Sequence, residues 1–335
     1  MIRRHIIMSA ALAAFALSSC SGGDDSNPAP TPTPSPSPTP TPSPTYVALP
    51  LSTATQFTTT FNAGTSYTGD PAAGAVTLGV VATEMATSRV NLALDSVLAT
   101  GTYVFHENTE ESRFVNANLI TAPSPAVTEY VFRTTDAATA GKFSQVEFLN
   151  NTIPPQTTGG PSVVTSDATL ALTRLSYGNW WRGDSTAGQK RLTYTIFGYP
   201  TVLTDMPTTG TVNYNTRVVG RLVSVAGGAT TISRVSGTVT TSVNFSTGLV
   251  DTTLTLTTLD AGGAATPYIT LTAQGGILAG QNQFSGSLTN GGPLSGTIAG
   301  GFFGSQGEQI GIVFAASGTV GGANQRLIGE IVGKK

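Results

Sequence analysis

Cysteine and histidine are almost absent from this sequence. Its 335 residues include one cysteine, Cys20, and two histidines, His5 and His106. One thiol cannot form an internal disulfide, and if Cys20 is lipidated, as its context below predicts, no free thiol remains for a Cys/His nucleophile pair. A zinc site would depend almost wholly on carboxylates. We therefore expect no metal and no cofactor, and burial and hydrogen bonding must hold the folded part together.

Charge is also scarce. Charged residues make up 10% of the chain, against about 25% in ordinary soluble proteins. The net charge is −2, and no basic stripe is present of the kind that binds phosphate, which argues against a nucleic-acid partner. Threonine and valine favour strands, while glycine and proline interrupt them. The composition predicts an all-β protein with many turns.

The N-terminus has the pattern of a bacterial lipoprotein. Residues 1–19 have a basic head and a short apolar stretch, as in a secretory signal peptide. Leu17-Ser18-Ser19-Cys20 resembles a lipobox, in which the signal is cut before a cysteine that is then lipidated. The alternative is an ordinary signal peptide with a chance cysteine. Ser21 resembles the residue type that directs such proteins to the outer membrane.

Residues 20–45 predict a stalk. Proline occupies every second position from Pro28 to Pro44, which holds the backbone in polyproline II and excludes helix and central strand. At about 3.1 Å per residue, this segment would span roughly 50 Å. Behind a lipid anchor on Cys20, such a spacer would hold a folded head clear of the membrane.

The remaining chain divides into two β-rich regions. Residues 46–170 contain alternating apolar segments separated by proline-containing loops, and predict a smaller β-rich domain. Residues 171–335 contain evenly spaced strands with hairpin turns, as in a sandwich or an up-and-down barrel. Between Ser295 and Ser317, bulky residues alternate with glycines that give a sheet room to bend and space for interior aromatics. This favours the barrel, with the flat sandwich as the alternative.

Residues 300–314, GGFFGSQGEQIGIVF, resemble the motif Gly-x-Phe-Tyr-Gly-Pro-x-Ala-x-Glu-x-Gly-Gly-x-Phe of the transferrin-binding protein B family of surface lipoproteins. The positions in register are Phe302, Phe303, Gly304, Gly311 and Phe314, with Glu308 where acidic residues are common. Ser305 stands where that family has proline. Two further segments resemble the family through Gly210 and Tyr214, and through Phe245 and Gly248.

The resemblance implies an eight-stranded antiparallel barrel preceded by a handle-like domain, in a single lobe. It also implies display on a Gram-negative outer membrane and capture of an iron-associated, haem-related or other host ligand. The ligand contacts of that family come from variable loops, so transferrin itself does not follow from the motif.

Two segments hold the remaining candidate site residues. Trp180, Trp181 and Arg182 are placed in a turn after a strand, where exposed aromatic and guanidinium groups would form a recognition patch. Strand alternation predicts that one tryptophan is exposed and the other buried. His106 and the glutamates after it could hold a cation, although a solvated loop is the simpler interpretation.

Motifs for catalysis are absent: the sequence has no nucleophile elbow, no dinucleotide-binding glycine pattern and no phosphate loop. We therefore predict a monomeric, non-enzymatic surface lipoprotein that binds a macromolecular or iron-associated ligand. Such a module would expose an apolar or aromatic patch near its loop ends. The alternatives are a structural envelope lipoprotein without a captured ligand, and a carboxylate-dependent envelope enzyme.

Overall fold

The computed structural model describes residues 44–124, 127–135, 142–154, 167–183, 188–288 and 292–335. The predicted signal peptide, Cys20 and the predicted stalk up to residue 43 lie outside the described residues. The described part contains twenty strands and four short 3₁₀ turns, at Asn116–Asn118, Ala168–Leu170, Leu203–Asp205 and Ser305–Gly307. No helix in these residues has the length and apolar character needed to cross a membrane.

Two open sheets are formed before the barrel. Sheet 1 has the order β1-β5-β6-β7, and its strands are β1 (Thr55–Phe57), β5 (Val90–Leu94), β6 (Thr102–Glu107) and β7 (Glu110–Val115). Sheet 2 has the order β3-β2-β12-β11-β10-β9-β8, with β4 also paired to β2. Its strands are β2 (Thr60–Thr68), β3 (Thr77–Leu78), β4 (Ala82–Thr87), β8 (Leu119–Thr121), β9 (Glu129–Thr135), β10 (Phe143–Leu149), β11 (Leu175–Gly183) and β12 (Gln189–Gly198).

The last eight strands close into an antiparallel barrel in which each strand pairs with the next and the last pairs with the first. They are β13 (Thr211–Ala226), β14 (Ala229–Asn244), β15 (Leu249–Leu259), β16 (Ala265–Ile277), β17 (Gln283–Leu288), β18 (Leu294–Phe303), β19 (Gln309–Val320) and β20 (Ala323–Lys334). The predicted all-β class and eight-stranded up-and-down barrel are confirmed.

Sheet 2 is the middle layer of the molecule. One of its faces packs on sheet 1, around Phe105, Phe132 and Trp180. Its other face packs on the outer wall of the barrel, where Tyr177 and Ile196 meet barrel residues such as Val313. A third core fills the barrel interior. Alternate residues of the sheet 2 strands therefore belong to different cores, as the period of two requires.

The predicted extension of the barrel back to residue 171 is wrong. The strands at 175–183 and 189–198 are β11 and β12 of sheet 2, and the barrel begins at Thr211. In β12, Leu192, Tyr194 and Ile196 alternate with polar residues. This one-sided apolar pattern is also that of a barrel strand, but here the apolar face packs on the outer wall of the barrel. The two sheets that precede the barrel therefore include residues up to Gly198.

The glycines between Ser295 and Ser317 serve two surfaces of the barrel. A Cβ on Gly300 would lie 2.7 Å from the Phe284 ring, inside the barrel. A Cβ on Gly311 would lie 2.7 Å from Ile196 Cγ2, and one on Gly301 would lie 2.5 Å from the Phe61 ring. Ile196 and Phe61 belong to sheet 2, so these outward glycines let sheet 2 approach the barrel wall.

Gly311→Ala is expected to lower the free energy of unfolding by about 1–3 kcal/mol, because the added methyl overpacks the contact with Ile196. Gly276→Ala is the matched control, since a Cβ there meets nothing within 4 Å. Urea unfolding of both variants measures the difference. Equal unfolding midpoints would show that outward glycines are not needed for the approach of sheet 2.

Candidate functional site

The residues that carry the family resemblance meet at one end of the barrel, which we call the near end. Gly304 has φ 72°, and the turn after it accepts a hydrogen bond of 2.7 Å from the Tyr214 hydroxyl to the Gly307 carbonyl. Glu308 is bound by the Arg174 Nε at 2.6 Å. These contacts close the turn between β18 and β19.

The other motif residues are also structural. Gly210 and Gly248 have φ of 87° and 72°, in the left-handed region that favours glycine. The side chains of Phe245, Phe302 and Phe314 are buried in the barrel core, and Phe303 and Gly311 lie on the wall that meets sheet 2. The motif therefore specifies the barrel and its packing, and two of its residues, Phe245 and Gly248, also line a groove at this end.

An apolar groove of ≈ 360 Å³ lies at the near end, and we call it the barrel-end groove. It is lined by the segment before β13, the β14–β15 turn and the β16–β17 turn, with Leu203, Met206, Phe245, Ile277 and Leu278 as its apolar residues. Every other residue lining it is small or polar and uncharged.

Two leucines of this groove are unusually exposed. Leu203 has 55% of its surface accessible and Leu278 has 67%, and Val202 beside Leu203 has 42%. Single exposed apolar residues are common, whereas adjoining ones around a concavity mark contact sites. The exposed apolar patch predicted near the loop ends is thus present. The residues that form it were not predicted, because Leu203 and Leu278 are 75 positions apart in loops without a motif.

A second concavity lies at the mouth between sheets 1 and 2, and we call it the handle cleft. It has a volume of ≈ 530 Å³, and Trp180 and Arg182 line it. Both residues lie within β11 and not in the predicted turn. Trp180 is 1% exposed and Arg182 is 7% exposed, so neither forms the predicted exposed patch.

Ion pairs inside the protein neutralise the charges of the handle cleft. Arg182 bonds Glu107 and, through Nε at 2.5 Å, Glu110. Arg89 also binds Glu107, and Arg191 binds Glu110. Burial lowers the pKa of Arg182 to about 9, which leaves it charged at neutral pH between its two carboxylates.

The segment predicted as a solvated loop around His106 is a β-hairpin. His106 and Glu107 end β6, and Glu110 and Glu111 begin β7. Glu107 is 7% exposed because it points toward Arg182. Among the described residues, no group of three or more His, Cys, Asp or Glu is placed to hold a metal ion.

Trp181 lies on the opposite face of β11 and is partly exposed. Its ring meets the edge of Phe143 at 5.1 Å between centroids, and Arg133 stacks over Phe143 at 4.5 Å. Arg221 of the barrel lies 5.1 Å from the Trp181 ring on the other side. This cation–π series links sheet 2 to the barrel. The prediction was one exposed and one buried tryptophan: Trp180 is buried, and Trp181 is only partly exposed.

The described residues form a closed antiparallel barrel with two stacked sheets on its outer wall and an apolar groove at one end. Residues 206–333 match the family model described as the C-lobe and N-lobe beta barrels of Tf-binding protein B. The resemblance predicted from the sequence is confirmed, and the chain has a transferrin-binding protein B-like fold. The matched segment coincides with the barrel and excludes β11 and β12.

Solved structures of transferrin-binding protein B are also similar to this chain. The protein from Haemophilus parasuis Hp5 is 11% identical, with a TM-score of 0.35, over 86% of this chain and 77% of that one. The isotype 1 protein from serogroup B Neisseria meningitidis is 14% identical, with a TM-score of 0.39, over 82% and 43%. A search of curated proteins found no significant match. The likeness of this chain to transferrin-binding protein B lies in the sequence of the barrel and in its strand topology.

Proposed function

We propose that this protein is a non-catalytic binding module of the bacterial surface, and that its barrel-end groove contacts a macromolecular ligand. One observation carries the proposal: Leu203 and Leu278 expose 55% and 67% of their surfaces around an uncharged groove. Burying apolar area of this kind is the main favourable term in protein association. The handle cleft supports the role less, because its charges already have partners within the chain.

The family context supports the same role. Matching proteins are named for binding transferrin, and an iron-associated or other host protein is a ligand of the class that the resemblance implies. The lipobox-like sequence at Cys20 supports lipid anchoring, and with Ser21 it supports an outer-membrane, surface-facing location. We propose a monomeric head on the predicted stalk.

The test is capture by the purified protein. Immobilised protein is incubated with host serum, with purified transferrin and with haem, and bound material is identified by mass spectrometry or by absorbance. A Leu203→Ser/Leu278→Ser variant is expected to bind a captured protein at least about tenfold more weakly, since truncated hot-spot residues cost more than about 1 kcal/mol each. Val80→Ser is the matched control, because Val80 is 84% exposed and lies outside the groove.

Equal binding by the double variant and the wild type would contradict the role of the groove. Failure to capture any protein or haem from these sources would contradict the binding function itself and favour a structural envelope lipoprotein. The variant's circular dichroism and unfolding midpoint should match those of the wild type, because both leucines are exposed.

A further inference from the structure

A layer of charged groups with buried carboxylates lies between sheet 2 and the barrel. Glu147 of β10 binds Arg221 of β13. Glu129 of β9 accepts a hydrogen bond of 2.9 Å from the Tyr177 hydroxyl and is bound by Arg234 of β14 at 3.2 Å. Each of these carboxylates therefore has a guanidinium partner across the interface.

Glu330 is the third carboxyl of this layer and has no such partner. It lies on the outer face of β20 and is 0% exposed. Neither of its carboxylate oxygens makes a hydrogen bond of normal geometry to a group in the described part of the chain, and the same holds for the side-chain amide of Asn179 on β11. The charged and titratable groups around it are Glu129, Glu147, Tyr177, Tyr194, Arg221 and Arg234.

The surroundings of Glu330 raise the free energy of its ionised form. The two guanidinium groups of the layer are already bound to Glu147 and Glu129, so an ionised Glu330 would be an unpaired buried charge. Burial, followed by the charges of Glu129 and Glu147, raises the pKa of Glu330 well above its ordinary value, and the adjacent Asn179 amide offsets only part of this rise. When sheet 2 lies on the barrel, Glu330 therefore holds a proton.

The same carboxyl would meet water if sheet 2 moved away from the barrel, because it lies on the outer wall. It would then ionise with the ordinary pKa of a glutamate, about 4.3. We propose that the contact between sheet 2 and the barrel is a proton-linked latch, closed while Glu330 is protonated and weakened when Glu330 ionises. This inference is independent of the barrel-end groove and its ligand.

The sign follows from proton linkage. The closed state binds one proton more than the open state at any pH between the ordinary pKa and the raised pKa of Glu330. The contribution of Glu330 to the stability of the closed state is therefore fully present below the ordinary pKa. Above that pKa, the equilibrium constant for closing falls about tenfold per pH unit. The loss continues until the pH reaches the raised pKa.

The experiment uses the two tryptophans of the chain. Trp180→Phe leaves Trp181, on the barrel-facing side of β11, as the only fluorophore of its kind at the interface. Between pH 6 and 9.5, acrylamide quenching of Trp181 is expected to rise while the far-ultraviolet circular dichroism stays constant. Adding Glu330→Gln, which keeps the shape but cannot ionise, should remove the rise.

A second measurement serves if Trp180→Phe does not fold. Urea unfolding of the wild type and of Glu330→Gln is followed over the same pH range. The ratio of their unfolding constants is expected to grow about tenfold per pH unit until the pH reaches the raised pKa of Glu330. A ratio that does not change with pH would overturn the proton linkage. A growing ratio together with unchanged Trp181 quenching would overturn the latch, because Glu330 would then titrate only in global unfolding.

Discussion

Phe302→Ala is expected to lower the free energy of unfolding by about 3–5 kcal/mol, the largest stability effect we predict for a barrel residue. Phe302 is 0% exposed and lies at the near end of the barrel core. Its ring centroid is 5.3 Å from that of Phe245 and 5.6 Å from that of Phe284. Truncation removes both ring contacts and leaves a cavity, since close-packed cores relax only partly.

Urea unfolding followed by circular dichroism measures the effect, and Val80→Ala provides the control. Val80 is 84% exposed, so its truncation should change the unfolding free energy by less than about 0.5 kcal/mol. A loss of under about 1 kcal/mol for Phe302→Ala would mean that the family motif does not build the barrel core as described here.

The barrel was predictable because its signal is local. Threonine and leucine alternate along β15, and Leu254 and Leu256 both point into the barrel core. Glycine-containing turns separate the strands, and a barrel is the arrangement in which such strands leave no free edge. The number of strands came from the resemblance of the motif around Phe302 to the transferrin-binding protein B family.

The layer to which a strand belongs was not predictable, because it depends on distant pairing. β12 pairs with β2, which lies far from it in the sequence, and β11 on its other side pairs with β10, the strand before it. The role of Gly311, on the barrel side of this interface, was also not predictable. Its place in an apolar segment indicates a bend or a gap, and only the packing of Ile196 shows that the gap faces sheet 2.

The site was less predictable than the fold. The charges near His106 are consistent with a solvated loop until Arg182 is brought to Glu107 from 75 positions away. Leu203 and Leu278 carry no motif, and exposure is a property of the folded surface. Glu330 is one acidic residue in an apolar strand, and its burial follows only from the sheet that covers the barrel.

Arg182→Ala is expected to destabilise the protein by about 3–5 kcal/mol, because it breaks a buried pair and leaves Glu107 and Glu110 with fewer partners. Arg182 also stacks on Trp180, with its guanidinium carbon 3.8 Å from the ring centroid. Its side chain is 8% exposed, so little solvent screens these contacts. The residue is thus assigned a structural role, although its sequence context suggested recognition.

Arg113→Ala is the matched control, because Arg113 also binds a glutamate of β7 but is 65% exposed. Exposed pairs of this kind contribute about 0–1 kcal/mol. Unfolding in urea at pH 7 compares the two variants, and ligand capture by each is measured alongside. If Arg182→Ala unfolds at the same urea concentration as Arg113→Ala but no longer captures ligand, the structural role is wrong and Arg182 contacts the ligand. The expected pattern is the reverse: a large loss of stability, with unchanged capture at temperatures where the variant is folded.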